Sequence, residues 1–179
     1  MRWLLLLFAC AACSSKGIGS IGDHRVEIAK VAAAVHAGSA ADPMTSIDVI
    51  ATDDGNFPCE NVGHIRPAAA RSLALRFFSL DGGVYVPPPP GTYRVIERPG
   101  SLPDGQYGYA LYVETTPLCD IFDGNSIGAH EGTLTLTEAS FTPGASVAGK
   151  FDVTLLSTDH LAGSFAARLC ETIDGGACR

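Results

Sequence analysis

The chain is short of cations, of tryptophan and of long apolar runs. Only three lysines occur in 179 residues (Lys16, Lys30 and Lys150), widely spread, and the formal net charge is −7. Phosphate binding needs clustered Lys and Arg, so this composition argues against a nucleic-acid partner. The one tryptophan, Trp3, lies in the first few residues. A domain without Trp is poorly equipped to stack sugars, although Tyr85, Tyr93, Tyr107, Tyr109 and Tyr112 offer smaller rings. The apolar stretch from Trp3 to Ala12 is ten residues long. That is too short for a stable helix across ~30 Å of hydrocarbon. No shift in composition marks a second domain, and the length suits a single core.

What is present begins with the opening residues, MRWLLLLFACAACSS. One positive charge, Arg2, precedes the apolar run, and small residues and a cysteine follow it, which is the order of an export signal. The segment resembles a bacterial lipoprotein signal, whose pattern is an aliphatic residue, two small residues and the cysteine that becomes the new N-terminus. Two registers fit. Ala11-Ala12-Cys13 has the small residues but carries Cys10 where the family has Leu. Leu7-Phe8-Ala9-Cys10 has the Leu but a bulky Phe8 and a shorter apolar core. Signal length favours Cys13, with Cys10 the alternative and an ordinary cleaved signal the plainer reading. The resemblance implies a diacylglycerol thioether and an N-acyl chain such as palmitate on the cysteine. Several chains hold a protein far more firmly than one. Ser14, a non-Asp residue after the cysteine, implies sorting to the outer membrane. The expected organisation is then signal 1–12, lipidated cysteine and glycine-rich tether 13–22, and one domain over 23–179.

Four cysteines remain beyond the leader: Cys59, Cys119, Cys170 and Cys178. An even count in an exported chain argues for disulfides. Glu-Thr-Ile-Asp-Gly-Gly-Ala between Cys170 and Cys178 is a polar turn able to bring those two together. Cys59–Cys119 follows by subtraction and closes the longer loop, worth roughly 4 kcal/mol in the loop-entropy model. Zinc is the competing use. None of these four forms a CxxC pair and no His stands at ligand spacing from them, so no metal is expected.

Alternation of period two runs through the rest. Gly132–Thr137 sets Leu134 and Leu136 against threonines. Val147–Leu156 and Leu161–Cys170 share the pattern [Val/Leu]-Ala-Gly-x-Phe-x-x-x-Leu. Phe151, Val153 and Leu155 share a face in the first, and Phe165, Ala167 and Leu169 in the second. They read as one antiparallel hairpin, with a glycine in each strand leaving room for a bulge or a close neighbour. Tyr107, Tyr109, Leu111 and Val113 alternate with Gly108, Ala110, Tyr112 and Glu114. Further strands are expected over Ser46–Thr52, Ser72–Leu80 and Thr92–Glu97. A short helix is expected after Pro67. Residues 26–37 fit helix or strand; the β-rich remainder favours strand. Pro87–Pro90 is a stiff extended loop. The expected fold is all-β, an antiparallel β-sandwich or small barrel of about 7–9 strands, disulfide-braced. The motifs over roughly residues 130–170, together with the signal, resemble uncharacterised envelope lipoproteins of GC-rich bacteria, which bring no activity with them.

Several motifs touch catalysis or ligands. Gly17-Ile-Gly-Ser-Ile-Gly22 has the letters of a dinucleotide loop, with Asp42 twenty residues on, but what precedes it is the leader and not a strand. Gly124-Asn-Ser126-Ile-Gly128 has the letters of a nucleophile elbow, and Asp152, Asp159 and His160 follow in hydrolase order. Asp53-Asp54-Gly55-Asn56 and Asp120-x-x-Asp123-Gly124-Asn125 gather oxygen ligands without EF-hand spacing, and turns favour the same residues. His24, His36, His64, His130 and His160 form no metal-spaced pair, and His130-Glu131 lacks the second His of HExxH. The sequence therefore reads as a non-catalytic structural or binding module of the bacterial cell envelope. It would be membrane-held through its lipid, carry no cofactor and recognise an envelope protein or glycan. The alternatives are a small anchored serine hydrolase using Ser126 and His160, and a carbohydrate-binding module.

Overall fold

The computed structural model describes residues 16–21, 24–40, 42–53, 71–97, 101–115, 121–170, 172–173 and 177–178. No helix occurs among them. The strands are β1 (Lys16–Ile21), β2 (His24–Glu27), β3 (Lys30–His36), β4 (Ser46–Thr52), β5 (Arg71–Asp81), β6 (Val84–Val86), β7 (Gly91–Val95), β8 (Gly105–Thr115), β9 (Ile121–Glu138), β10 (Ser146–Leu155), β11 (His160–Arg168), β12 (Thr172–Ile173) and β13 (Ala177–Cys178). The first eleven form one sheet in the order β2-β1-β11-β10-β9-β7-β8-β5-β4-β3, with β6 on β5. Among the described residues β12 and β13 pair only with each other.

The sheet curls until its ends nearly meet. Ala33 of β3 bridges Leu169 just past β11, and the Cys170 N–H donates to the Ala33 carbonyl at 2.8 Å. The result is the barrel of the two expected architectures, not two stacked sheets. Full closure would remove edge strands, whose unpaired N–H and C=O groups invite foreign pairing. The expectation of a wholly antiparallel sheet fails at one place. β7 runs parallel to β8 (Arg94 beside Tyr107, Val95 beside Gly108) while antiparallel to β9. β7 is a wedge: β9 pairs directly with β8 at Ile127–Tyr112 and Gly128–Leu111, then bends away and takes β7 at Thr133–Leu136.

The inside is filled by side chains. Phe77, Tyr93 and Phe165 meet at its centre, with Phe77 edge-on to Tyr93 (centroids 5.3 Å, 88°) and 5.9 Å from Phe165. Leu134, Leu136, Phe151, Val153, Leu155, Ala167 and Leu169 complete the cluster with Leu73 and Leu75. Both Gly-x-Phe strands thus pair as the expected hairpin, β10–β11. Gly149 shows why that hairpin needs glycine. The β9–β10 register shifts at Ala148/Gly149. A Cβ at 149 would collide with the Thr135 carbonyl and stand 2.7 Å from Phe165 Cζ.

One expectation changes. Residues 16–21, expected within the flexible tether 13–22, form β1, antiparallel to β11 (Lys16–Ser164 to Gly19–Leu161) and to β2. The folded domain therefore begins before residue 23. Main-chain pairing needs no apolar side chain, and the β11 edge supplied the partners. Residues 26–37 are strand, split into β2 and β3 by Ile28-Ala29. In β8 Gly108, Ala110 and Tyr112 face inward and oppose Phe77, Leu75 and Leu73, while Tyr107, Tyr109, Leu111 and Val113 point out. A Cβ at 108 would lie 2.7 Å from Leu134 Cδ1, so the interior has no room for larger groups there. The expected helix after Pro67 lies outside the described residues.

Candidate functional site

The outer face of β4–β5–β8 is the part of the surface that sequence patterning does not explain. Cross-strand pairing stacks its side chains into two adjacent rows. The first is polar: Asp48, Arg76, Tyr109. The second is apolar and contains small members: Ile50, Ala74, Leu111, Gly128. Residues facing the same way across neighbouring strands touch, so each row acts as a unit. Ala74 leaves a hollow between Ile50 and Leu111, and Gly128 extends it beyond Leu111. Ile96 and Glu97, just after β7, overhang it. The groove encloses about 310 Å³, within the range of small-molecule sites.

Arg76 and Asp48 close one side. The guanidinium donates from Nε to Asp48 Oδ1 at 2.8 Å and from Nη2 to Oδ2 at 2.7 Å, a bidentate fork. That hydrogen bond raises the Arg76 pKa further, against the opposing effect of burial, with Coulombic help from Asp48 and Asp42. Ser46 Oγ donates a third bond to Asp48, at 3.0 Å. The Tyr109 hydroxyl beside them is buried and has no hydrogen-bond partner. Burial pushes its pKa up to about 12, so the phenol stays a neutral donor at ordinary pH.

An aromatic cluster holds the neighbouring surface. Phe78 packs against Tyr85, Tyr107 and Tyr109 at 5.6–5.9 Å, with Met44, Leu80, Ile96 and Leu102 around them. Two tyrosines tie loops down in the same way. Tyr107 Oη donates to the Pro103 carbonyl at 3.0 Å, and Tyr93 Oη donates to the Pro89 carbonyl. Each reaches the residue four positions earlier, the geometry of a tyrosine corner. The second tie anchors the proline loop that leads into β7. Asp104 accepts from the N–H groups of Gly82 (3.0 Å) and Gly83 (2.9 Å), fixing the β5–β6 turn.

The residues singled out by sequence lie elsewhere. Ser126 is exposed in the body of β9, paired with Val113, and not at a strand-to-helix elbow. His160 Nε2 sits 2.8 Å from Asp152 Oδ1 on the outer face of β10–β11. No hydrogen bond joins Ser126 to His160 among the described residues. Asp159 Oδ2 accepts from Ser157 Oγ at 2.6 Å. Gly17 and Gly19 of the GxGxxG run are in β1, with no helix after them. Asp53 Oδ1 accepts the Arg71 N–H at 2.8 Å, and Asp123–Asn125 continue β9. No group of three or more His, Cys, Asp or Glu suited to a metal forms among the described residues. His36 lies 3.3 Å from Asp42, and His130 lies 3.8 Å from Glu131.

Cys170 is buried. Cys178 closes the β12–β13 hairpin opposite Thr172, while Cys10, Cys13, Cys59 and Cys119 fall outside the described residues. No described helix is long and apolar enough to cross a membrane.

Sequence reasoning missed Asp48, Arg76 and Glu97. The available signal was a charge at an outward position inside each of two apolar strands, SIDVIAT and SLALRFFSL. Strands on a single sheet also pair those charges when they are adjacent. The chain matches no protein-family model, no curated protein sequence and no solved structure.

Proposed function

We propose that this chain is a non-catalytic binding module of the cell envelope, with the groove on β4–β5–β8 as its ligand site. One observation carries the reading: a hollow of about 310 Å³ lined by Ile50, Ala74, Ile96 and Leu111, with an unpartnered tyrosine hydroxyl in its wall. Apolar walls with a few convergent polar groups are the usual make-up of a small-molecule site. In this reading the N-terminal cysteine, Cys13 or in the other register Cys10, carries lipid and holds the barrel at the outer membrane. Cys170–Cys178 and Cys59–Cys119 brace the domain.

Native mass spectrometry on protein extracted gently from its membrane tests the binding reading. The expected result is a small-molecule adduct on the native protein that is missing from the groove-filling variant Gly128→Leu. A Cβ at 128 meets only Leu156 Cδ1, at 3.9 Å, so this change fills the hollow and leaves the barrel intact. Equal adducts on both proteins, or none on either, would count against the site.

A further inference from the structure

The groove's charges specify its ligand further; this inference rests on the binding reading above. Among the described groove-lining residues Arg76 is the one cation, and Asp48 neutralises it through both carboxylate oxygens. Glu97 then stands exposed at the rim, and Asp42 adds negative potential near Arg76. An anionic head group entering this place would meet excess negative charge in a partly desolvated site, where Coulomb terms are larger than in water. The Tyr109 hydroxyl offers a donor that nothing described accepts. Glu97 offers an acceptor. The apolar row also runs on past the hollow: Leu111 is 38% exposed and Leu156 59% exposed, on either side of Gly128. The Leu156 N–H donates to the Gly128 carbonyl at 2.8 Å, which fixes that neighbourhood.

We infer that the groove takes an uncharged or cationic amphiphile, with its apolar body on the Ala74–Leu111–Gly128 row and its head between Tyr109 and Glu97, and that it rejects the anionic counterpart. The head accepts a hydrogen bond from Tyr109 or donates one to Glu97; a carboxylate satisfies the first contact only by approaching the second. The tail gains from leaving water, and this gain is shared by all head groups. Discrimination therefore lies in the head.

Isothermal titration of the full chain with decanol, decylamine and decanoate, matched in tail and kept below micelle formation, tests this. The expected result is binding of the alcohol and the amine at least tenfold tighter than that of decanoate. Glu97→Gln should bring decanoate to within about threefold of decanol. Glu97 is an exposed side chain after β7, so this variant keeps the fold. Gly128→Leu should abolish binding of all three at an unchanged melting temperature. Decanoate binding as tightly as decanol, or an alcohol-to-acid ratio unmoved by Glu97→Gln, would overturn the head-group inference. Failure of all three ligands to bind the native chain would instead overturn the binding reading beneath it.

Discussion

The two faces of β4–β5–β8 are made by the same residues taken alternately, yet they follow opposite rules. Inward, Val49, Leu75 and Ala110 join a cluster packed around Phe77, Tyr93 and Phe165, with no charge among its members. Outward, one step along each strand, stand Asp48, Arg76 and Tyr109, then Ile50, Ala74 and Leu111. The interior spends its small residues on close approach, as at Gly108 beneath Leu134. The exterior uses its small residues, Ala74 and Gly128, to leave space. A small residue therefore means a tight fit on one face and a vacancy on the other, and only the fold tells which.

Truncation should separate the faces most sharply. Phe77→Ala removes a fully buried ring that touches Tyr93 and Phe165. It should cost about 3–5 kcal/mol in chemical denaturation. Leu111→Ala, on the outer row, should cost under about 1 kcal/mol. Equal losses would erase the distinction between core and groove.

Gly149→Ala probes close approach in the interior. The added methyl would press on backbone at the Thr135 carbonyl and on Phe165, so a loss of about 2–3 kcal/mol is expected. A melting temperature equal to that of the native chain would show that the β9–β10 bulge relaxes freely.

Alkaline titration reads both faces at once. Burial pushes Tyr93, in the interior, and Tyr109, at the groove, up to about 12, and raises Tyr112 as well. The unfolded phenols ionise near pH 10, so the unfolded chain binds fewer protons than the native one above that pH. Stability should stay level below about pH 10 and fall as pH rises from there towards 12. Tyrosinate absorbance should lag ordinary phenol until unfolding. A ligand that accepts from the Tyr109 hydroxyl should hold that one phenol neutral to higher pH still. Ionisation of Tyr93, Tyr109 or Tyr112 at pH 10 in a folded chain would contradict the burial of these rings.

The smallest effect is local. Thr158, in the β10–β11 turn, has φ of 74°, a left-handed conformation that suits glycine and strains a β-branched residue. Thr158→Gly should raise stability by about 0.5–1 kcal/mol, the relieved strain less the added flexibility of the unfolded chain. A loss would mean that the threonine side chain holds the turn.

Much of the barrel was legible in the alternation itself. Leu134 and Leu136, the Phe151 and Phe165 faces, and Leu73-Leu75-Phe77 all reach the interior as their period of two requires. Three features were not legible, each for a physical reason. β1 is held in the sheet by main-chain pairing that no side-chain pattern announces, so its glycine-rich letters look like a tether. β7 runs parallel to β8, and no local pattern encodes which strand a wedge lies beside. The groove depends on residues 48, 76 and 109, which only strand register brings together. The hydrolase letters around Ser126 show the converse. A motif complete in sequence lies in the middle of β9, while His160 faces Asp152 on other strands.

The central claim, that the outer face of β4–β5–β8 is the ligand site, is tested most directly by mapping amide chemical shifts while decanol is added. The account predicts saturable changes centred on Ile50, Ala74, Leu111 and Gly128, with Asp152 and His160 unmoved. Changes centred on β10–β11, or shifts scattered without saturation, would contradict it.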